Sequence, residues 1–300
     1  MSTNLVVGAT GVLGFEVCRS LVQHGKPVRA LVRGTSEGWK VDRLRAIGAE
    51  LVEGDVQDGA SLERAVAGTD GVITTLSTTY SRRATDNTHA SDLDGQQRLI
   101  DLAKAAGTRH FVYTSMTHHA PADMEFVQIR RKVEQHAMAS GMEWTVIRPS
   151  SFMDTYLSPI VGFDFIQGHV NVFGAGEGRI NWIAARDIAD YSVESLDNPA
   201  GRNAVLELGG PDFLSPMEVV AIAEELVGHP IAVTHVPEDA LRAQVANATS
   251  EYDVVFPSFA LKMVIPGEGV KTDMGAVYAA FPGITPTTVR AYLAQFVQPA

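Results

Sequence analysis

The chain has 300 residues, enough for one large domain or two intimate ones with ample core. Lysine and arginine number 24 against 35 aspartates and glutamates, a formal charge of −11. That balance disfavours general binding to nucleic-acid backbones and leaves room only for a local basic pocket holding a small anion. Hydrophobic residues make up 45% and charged residues 20%, ordinary for a soluble globular protein. No run of about 18 apolar residues occurs, and the N-terminal segment lacks the pattern of a signal peptide. Cys18 stands alone, so no intrachain disulfide forms; this fits a cytoplasmic location, and between Val17 and Leu21 it reads as a small core residue.

In chain order, "NLVVGA" (4–9) reads as a first strand, and "VVGATGVLG" carries it through Gly8, Gly11 and Gly14 into a helix over 12–24. "VRALVR" (28–33) and "AELVEGD" (49–55) read as the next strands. A helix over 61–67 is expected with Ser61 as its N-cap, then a strand "GVITTLS" (71–77) and a helix over 92–106. "HFVYTS" (110–115) and "WTVIRP" (144–149) flank a helix over 123–140, whose Phe126, Ile129, Val133 and Ala137 form an apolar stripe. Residues 150–179 read as loop-rich. Beyond them come a strand turning into a helix at Asp187 within 180–196 and a strand over 203–210. A helix over 215–228 follows, with Ser215, Pro216 and Glu218 as its capping signals, and a last helix over 287–297.

Alternation of Val/Ile-rich strands with amphipathic helices predicts an α/β, doubly wound parallel-sheet Rossmann fold with a smaller C-terminal α/β substrate domain. The expected division puts 1–154 in the dinucleotide-binding domain, with 180–210 returning to it, and 155–179 and 211–300 in the substrate-binding part.

The three glycines have distinct tasks: a tight turn, close approach of a pyrophosphate, and close packing of helix on strand. The helix start that follows offers free N–H groups to phosphate, which brings Thr10, Gly11, Val12 and Leu13 into the expected cofactor site with Gly8 and Gly14. An NAD site usually carries an acid at the end of the second strand. Here Arg33 stands there, with Lys40 and Arg43 following, so NADP(H) is expected over NAD(H). Ligands in such sheets bind outside the carboxyl ends of the strands. That rule assigns Asp55 and Val56 to the adenine, Leu76 and Ser77 to the ribose or pyrophosphate, and Pro149 to the same rim.

The glycine pattern, "LVR", "EGDVQD", "FVYTS", the helix with Lys132 before "TVIRP", and "RDIA" together resemble the NmrA-like group of atypical short-chain dehydrogenase/reductases, over essentially the whole chain. The resemblance implies a Rossmann domain with a small substrate domain. It also implies a spread of activities: quinone reduction, benzylic ether or isoflavone-type reduction, and catalytically silent cofactor sensing. In the wider superfamily a Tyr-x-x-x-Lys pair supplies the proton donor and the lysine that holds the nicotinamide ribose. Lys132 is expected in that lysine's role, and Gln128 occupies the tyrosine position. Losing a positioned acid costs about 10²–10⁴ in rate. The loss matters least where hydride addition yields a stabilised anion such as a quinol or phenolate.

Substitute donors are Ser115 at the end of the fifth strand, His118 and His119 in the following loop, Tyr80, and Tyr156 beyond the sixth strand. Phe163, Phe165, Phe256 and Phe259 could line an apolar substrate pocket or simply pack the core. No metal-ligand pattern occurs. The expectation is an NADPH-dependent oxidoreductase acting on a small apolar or aromatic carbonyl, quinone or related electrophile. The alternative is a silent NADP(H)-binding sensor or regulatory protein. The expected partner is a small-molecule substrate, with no nucleic acid and no membrane, and a homodimer is left open.

Overall fold

The computed structural model describes residues 3–79, 86–249, 251–264 and 267–297. In chain order the first elements are β1 (Thr3–Val7), α1 (Val12–Gln23), β2 (Val28–Val32), α2 (Gly38–Ala46), β3 (Glu50–Glu53), α3 (Gly59–Val66) and β4 (Thr69–Thr74). A wide π-type turn over Thr88–Gly95 leads into α4 (Gln96–Ala105), then β5 (His110–Thr114), α5 (Glu125–Ala139) and β6 (Glu143–Pro149). Next come β7 (Ser151–Phe152), α6 (Met153–Tyr156), β8 (Phe163–Asp164), β9 (His169–Phe173), β10 (Arg179–Ile183), α7 (Ala185–Glu194) and β11 (Ala204–Leu208). The chain finishes with β12 (Phe213–Leu214), α8 (Pro216–Val227), β13 (Ala232–Val236), α9 (Glu238–Ala246), α10 (Glu251–Leu261), β14 (Gly269–Val270), α11 (Gly275–Ala280) and α12 (Val289–Ala294).

Two compact units result: Met1–Arg148 with Ala185–Leu206 and Val277–Ile284, and Pro149–Ala184 with Glu207–Ala276 and Thr285–Ala300. The first is built on a seven-stranded sheet in the order β11-β6-β5-β4-β1-β2-β3. Its pairings from β3 through to β6 are parallel. Such strands are buried on both faces, which is why β1 and β5 carry the apolar runs 5–7 and 111–113. Leu5, Val72 and Phe111 of the strands pack against Leu62, Leu99 and Val133 of α3, α4 and α5. On α1, Ser20 donates to Asp190 of α7 at 2.7 Å. The order of the strands reverses at β1, between β2 and β4, the place where doubly wound sheets open a crevice at their carboxyl ends.

The second unit has two small sheets. One runs β12-β10-β14 with β7 also paired to β10, and the other runs β13-β9-β8. Phe163, Phe165, Phe173 and Trp182 pack with Val219 and Ala223 of α8 in its core. Trp182 satisfies its indole N–H on the Leu214 carbonyl at 3.0 Å. The capping box of α8 forms as its sequence requires, with Ser215 accepting from the Glu218 backbone and Glu218 accepting from that of Ser215.

Several local expectations differ from what the chain does. Asp58, not Ser61, caps α3: its carboxylate accepts from the Ala60 N–H at 3.1 Å. The Ser61 hydroxyl is buried inside the first turn, where it donates to the Asp58 carbonyl at 2.8 Å and accepts from the Asp55 N–H at 3.0 Å. Helix α7 starts at Ala185 rather than Asp187. The segment 150–179 holds β7, α6, β8 and β9. Helix α2 has a weak apolar face, only Leu44 being buried, and leaves no periodic signal to read. Among the described residues no helix is long and apolar enough to cross a membrane.

Candidate functional site

The glycine turn between β1 and α1 is built by close contact. Gly8 has φ +83°, and a Cβ there would come within 2.8 Å of the Leu76 backbone nitrogen. A Cβ on Gly14 would lie 2.1 Å from the Gly8 carbonyl oxygen, so only glycine lets α1 start this near the strand. Gly11 caps α1 with no side-chain hydrogen bond, leaving the first-turn N–H groups uncapped by a side chain. Gly11 and Val12 are exposed at this turn, whereas Leu13 and Gly14 are buried beneath it. A cradle of bare backbone donors at a helix start, with no room for added side chains, fits the pyrophosphate of a dinucleotide.

The neighbouring strand ends complete the rim. Arg33 follows β2, with its Nη1 donating to Asp86 Oδ2 at 2.7 Å. The Arg33 side chain is partly open, and that of Asp86 is only 3% exposed. Lys40 pairs with Glu37, and Arg43 lies 3.7 Å over the Phe15 ring. After β3, the Asp55 carboxylate accepts from the Gln57 N–H at 3.0 Å and Val56 is buried. After β4, Leu76 is half-buried and Ser77 exposed, its hydroxyl 2.6 Å from that of Thr79. Tyr80 lies outside the described residues.

Helix α5 carries Lys132 and Gln128 at the spacing of the superfamily pair. Its sheet-facing side carries Phe126, Ile129, Arg130, Val133, Glu134 and Ala137, all buried. The stripe is legible in the sequence, but one residue is about 100° of helix rotation. Lys132 and Gln128 lie off that stripe and are exposed; the Gln128 amide donates to the Ala122 carbonyl at 3.3 Å. The inward residues at spacing four are Phe126, Arg130 and Glu134.

Arg130 is the hub beneath the strand ends. It donates to the carbonyls of Thr114 at 2.9 Å and Leu76 at 3.2 Å, and to Asp92 Oδ1 at 2.9 Å. Asp92, in the π-type turn, accepts from the Thr78 N–H at 3.1 Å and hydroxyl at 2.5 Å. Burial pushes the Asp92 carboxyl up, opposed by the charge of Arg130. The pair thus ties the loop after β4 to the end of β5. A second cluster centres on Glu134, which accepts from Arg131 at 2.5 Å and from Arg148 at 2.5 and 3.0 Å. Burial favours the neutral acid there, yet the bonds from Arg148 and Ser115 and the charge of Arg131 hold its pKa below the usual value. Sequence reasoning does not single out Arg130, Asp92, Glu134 or Asp86. For Arg130 and Glu134 the available signal is charge in phase with the apolar stripe of α5.

The remaining candidates are dispersed. Ser115 is buried, and its hydroxyl donates to Glu134. His118 and His119 are exposed with ring centroids 3.7 Å apart. Pro149 ends β6 and is buried. Tyr156 belongs to the second unit, where its hydroxyl donates to the Phe259 carbonyl at 3.2 Å. In that unit Tyr156, Phe163, Phe173, Trp182 and Met263 line a small cavity. Phe165 lies in the core, and Phe256 makes an edge contact with Phe173 at 6.2 Å between centroids.

The family model described as "NmrA-like family" matches residues 1–293. The chain belongs to the NmrA-like family. An NAD(P)H azoreductase from Xenophilus azovorans is 33% identical over 230 residues, 76% of this chain and 74% of that protein. A phenylcoumaran benzylic ether reductase from Ginkgo biloba is 26% identical and aligns over 98% of both chains. Among solved structures, an NADPH-dependent quinone oxidoreductase from Escherichia coli in complex with NADPH matches with a TM-score of 0.75, at 21% identity, covering 98% of this chain and all of that one. That likeness bears on the fold, which is shared.

Proposed function

We propose that this NAD(P)H-dependent oxidoreductase of the NmrA-like family reduces a small apolar or aromatic electrophile, such as a quinone or conjugated carbonyl, whose product anion needs no enzymic acid. The observation that carries this reading is the sheet-facing side of α5. It presents Phe126, Arg130 and Glu134, and among them Arg130 is committed to Asp92 and two backbone carbonyls. No tyrosine stands at the spacing that ordinary alcohol chemistry uses. The azoreductase and benzylic ether reductase relatives add support for an aromatic substrate class.

In this reading the turn through Gly8, Thr10, Gly11, Val12, Leu13 and Gly14 holds the pyrophosphate, and Arg33 meets the 2′-phosphate. Asp55 and Val56 border the adenine, and Leu76, Ser77 and Pro149 line the ribose side. NADPH, when bound, supplies the hydride. Arg130 and Asp92 act through the backbone by fixing the loop that bears Leu76 and Ser77. Ser115 is a brace rather than a donor, its hydrogen being spent on Glu134. The exposed His118 is the residue assigned to any proton that water does not supply.

Steady-state NADPH oxidation against quinones, enones, azo dyes and aryl ketones tests the reading. Turnover with quinones or azo dyes and none with simple ketones is the expected pattern. Tight NADPH binding with no turnover across the panel would instead favour a cofactor-sensing role.

A further inference from the structure

Arg33 is not a bare cation waiting for a phosphate. Its Nη1 already serves Asp86 at 2.7 Å, and the Asp86 side chain is 3% exposed while that of Arg33 is 39% exposed. A carboxylate so shielded from water needs a cation, because an unpaired buried charge is costly. A guanidinium offers five N–H donors in a fixed fork, so one edge can hold Asp86 while another stays open towards solvent. An anion arriving at the open edge meets a cation whose charge is already opposed by a carboxylate at bonding distance.

We propose that Asp86 sets the balance between NADPH and NADH, by orienting the Arg33 fork while offsetting its charge, so that the protein accepts both dinucleotides. The inference rests on the reading of Arg33 as the 2′-phosphate residue. Its sign follows from charge. The extra phosphate of NADPH carries about −1.5 to −2 at neutral pH. Removing a fixed negative charge beside that site, with the hydrogen bond kept, strengthens NADPH binding on the order of tenfold. NADH has no group there and is indifferent. Asp86→Asn keeps an acceptor oxygen for Arg33 and loses only the charge.

The test is calorimetric titration of the full-length protein with NADP⁺ and NAD⁺, plus thermal unfolding without cofactor. Four variants serve: Asp86→Asn, Arg33→Ala, the double variant, and Glu53→Gln. The Glu53 carboxylate lies beside Gly34 but is exposed, so solvent screens it and its loss changes neither affinity by more than about twofold. The expected result is a rise of about tenfold in the NADP⁺:NAD⁺ affinity ratio for Asp86→Asn with NAD⁺ affinity unmoved. Arg33→Ala abolishes the preference of the parent for NADP⁺, and the double variant shows no gain over Arg33→Ala alone. An unchanged or lowered ratio in Asp86→Asn, or an equal gain in Glu53→Gln, overturns the proposal. If Arg33→Ala leaves the parent ratio intact, the assignment of the 2′-phosphate to Arg33 fails first. In that case a rise in Asp86→Asn would have to act through another cation, which also overturns a role for Asp86 exerted through the Arg33 fork.

Discussion

Arg130 in the first unit and Lys262 in the second are both basic side chains drawn away from water, and their surroundings could hardly differ more. Arg130 is met by a carboxylate and two backbone carbonyls within 3.2 Å. Lys262 lies 4.8 Å over the Phe259 ring and has no ion pair or side-chain hydrogen bond among the described residues. Burial lowers its pKa from 10.5 to about 8. The three arginines of the same unit, Arg179, Arg242 and Arg290, each pair with a glutamate. A buried charge fully met by partners stays charged and braces the backbone around it; one without partners gives up its proton at a lower pH. The first unit uses polar groups to fix loops at a parallel sheet's edge, and the second relies on an aromatic core.

The sharpest way to break this comparison is to remove Arg130. Arg130→Met strands Asp92 and should cost about 3–5 kcal/mol in stability, read by urea unfolding. Arg130→Met with Asp92→Leu should recover most of that, since an apolar pair can replace a buried ionic one. NADPH affinity should stay reduced in the double variant, because the Leu76 and Thr114 carbonyls remain untied. Full recovery of affinity would show that the pair serves stability alone.

Next in size is Gly14→Ala. The added methyl would stand 2.1 Å from the Gly8 carbonyl, so α1 must shift away from the turn. A strain of roughly 3 kcal/mol is expected, with about a 100-fold loss of NADPH affinity by calorimetry. A variant that binds NADPH normally would remove this turn from the site.

The two units are unequally legible in the sequence. Long parallel strands, buried on both faces, announce themselves as Val- and Ile-rich runs, and Gly8, Gly11 and Gly14 mark the turn between them. The second unit's strands include several of only two residues, such as β7, β8, β12 and β14, too short to carry a period. The same limit applies inside the site. The stripe Phe126, Ile129, Val133 and Ala137 is plain from its spacing, yet that spacing does not mark Arg130 as inward. Charged residues in a helix are read as solvent-facing by default, and only contacts from other elements, here Asp92 and the carbonyls of Leu76 and Thr114, show when that default fails. Asp86 is illegible for a like reason, since its partner Arg33 lies 53 residues away in sequence.

A smaller effect probes the second unit. Lys262 binds fewer protons folded, with a pKa of about 8, than unfolded, where the value is 10.5. The unfolded state therefore holds the extra proton between those values, and the contribution of this group to stability rises as pH increases through that window. Below pH 8 the penalty is complete, and Lys262→Met should relieve it. After allowance for partial solvent access, a gain of about 1 kcal/mol at pH 7 that fades by pH 10.5 is expected from unfolding curves. A loss of stability at pH 7 would mean that the ammonium has a partner after all.

The smallest effect expected is also the one that separates the α5 geometry from the superfamily pattern. Lys132 is exposed, and no hydrogen bond to its side chain occurs among the described residues. Lys132→Ala should therefore change NADPH affinity and turnover by less than about twofold, as surface substitutions away from a site do. Arg130→Lys is the companion: a point charge replaces the fork that reaches Leu76, Thr114 and Asp92 together, and affinity should fall although the charge is kept. If Lys132→Ala instead cost a hundredfold while Arg130→Lys was silent, α5 would have to present Lys132 to the nicotinamide ribose.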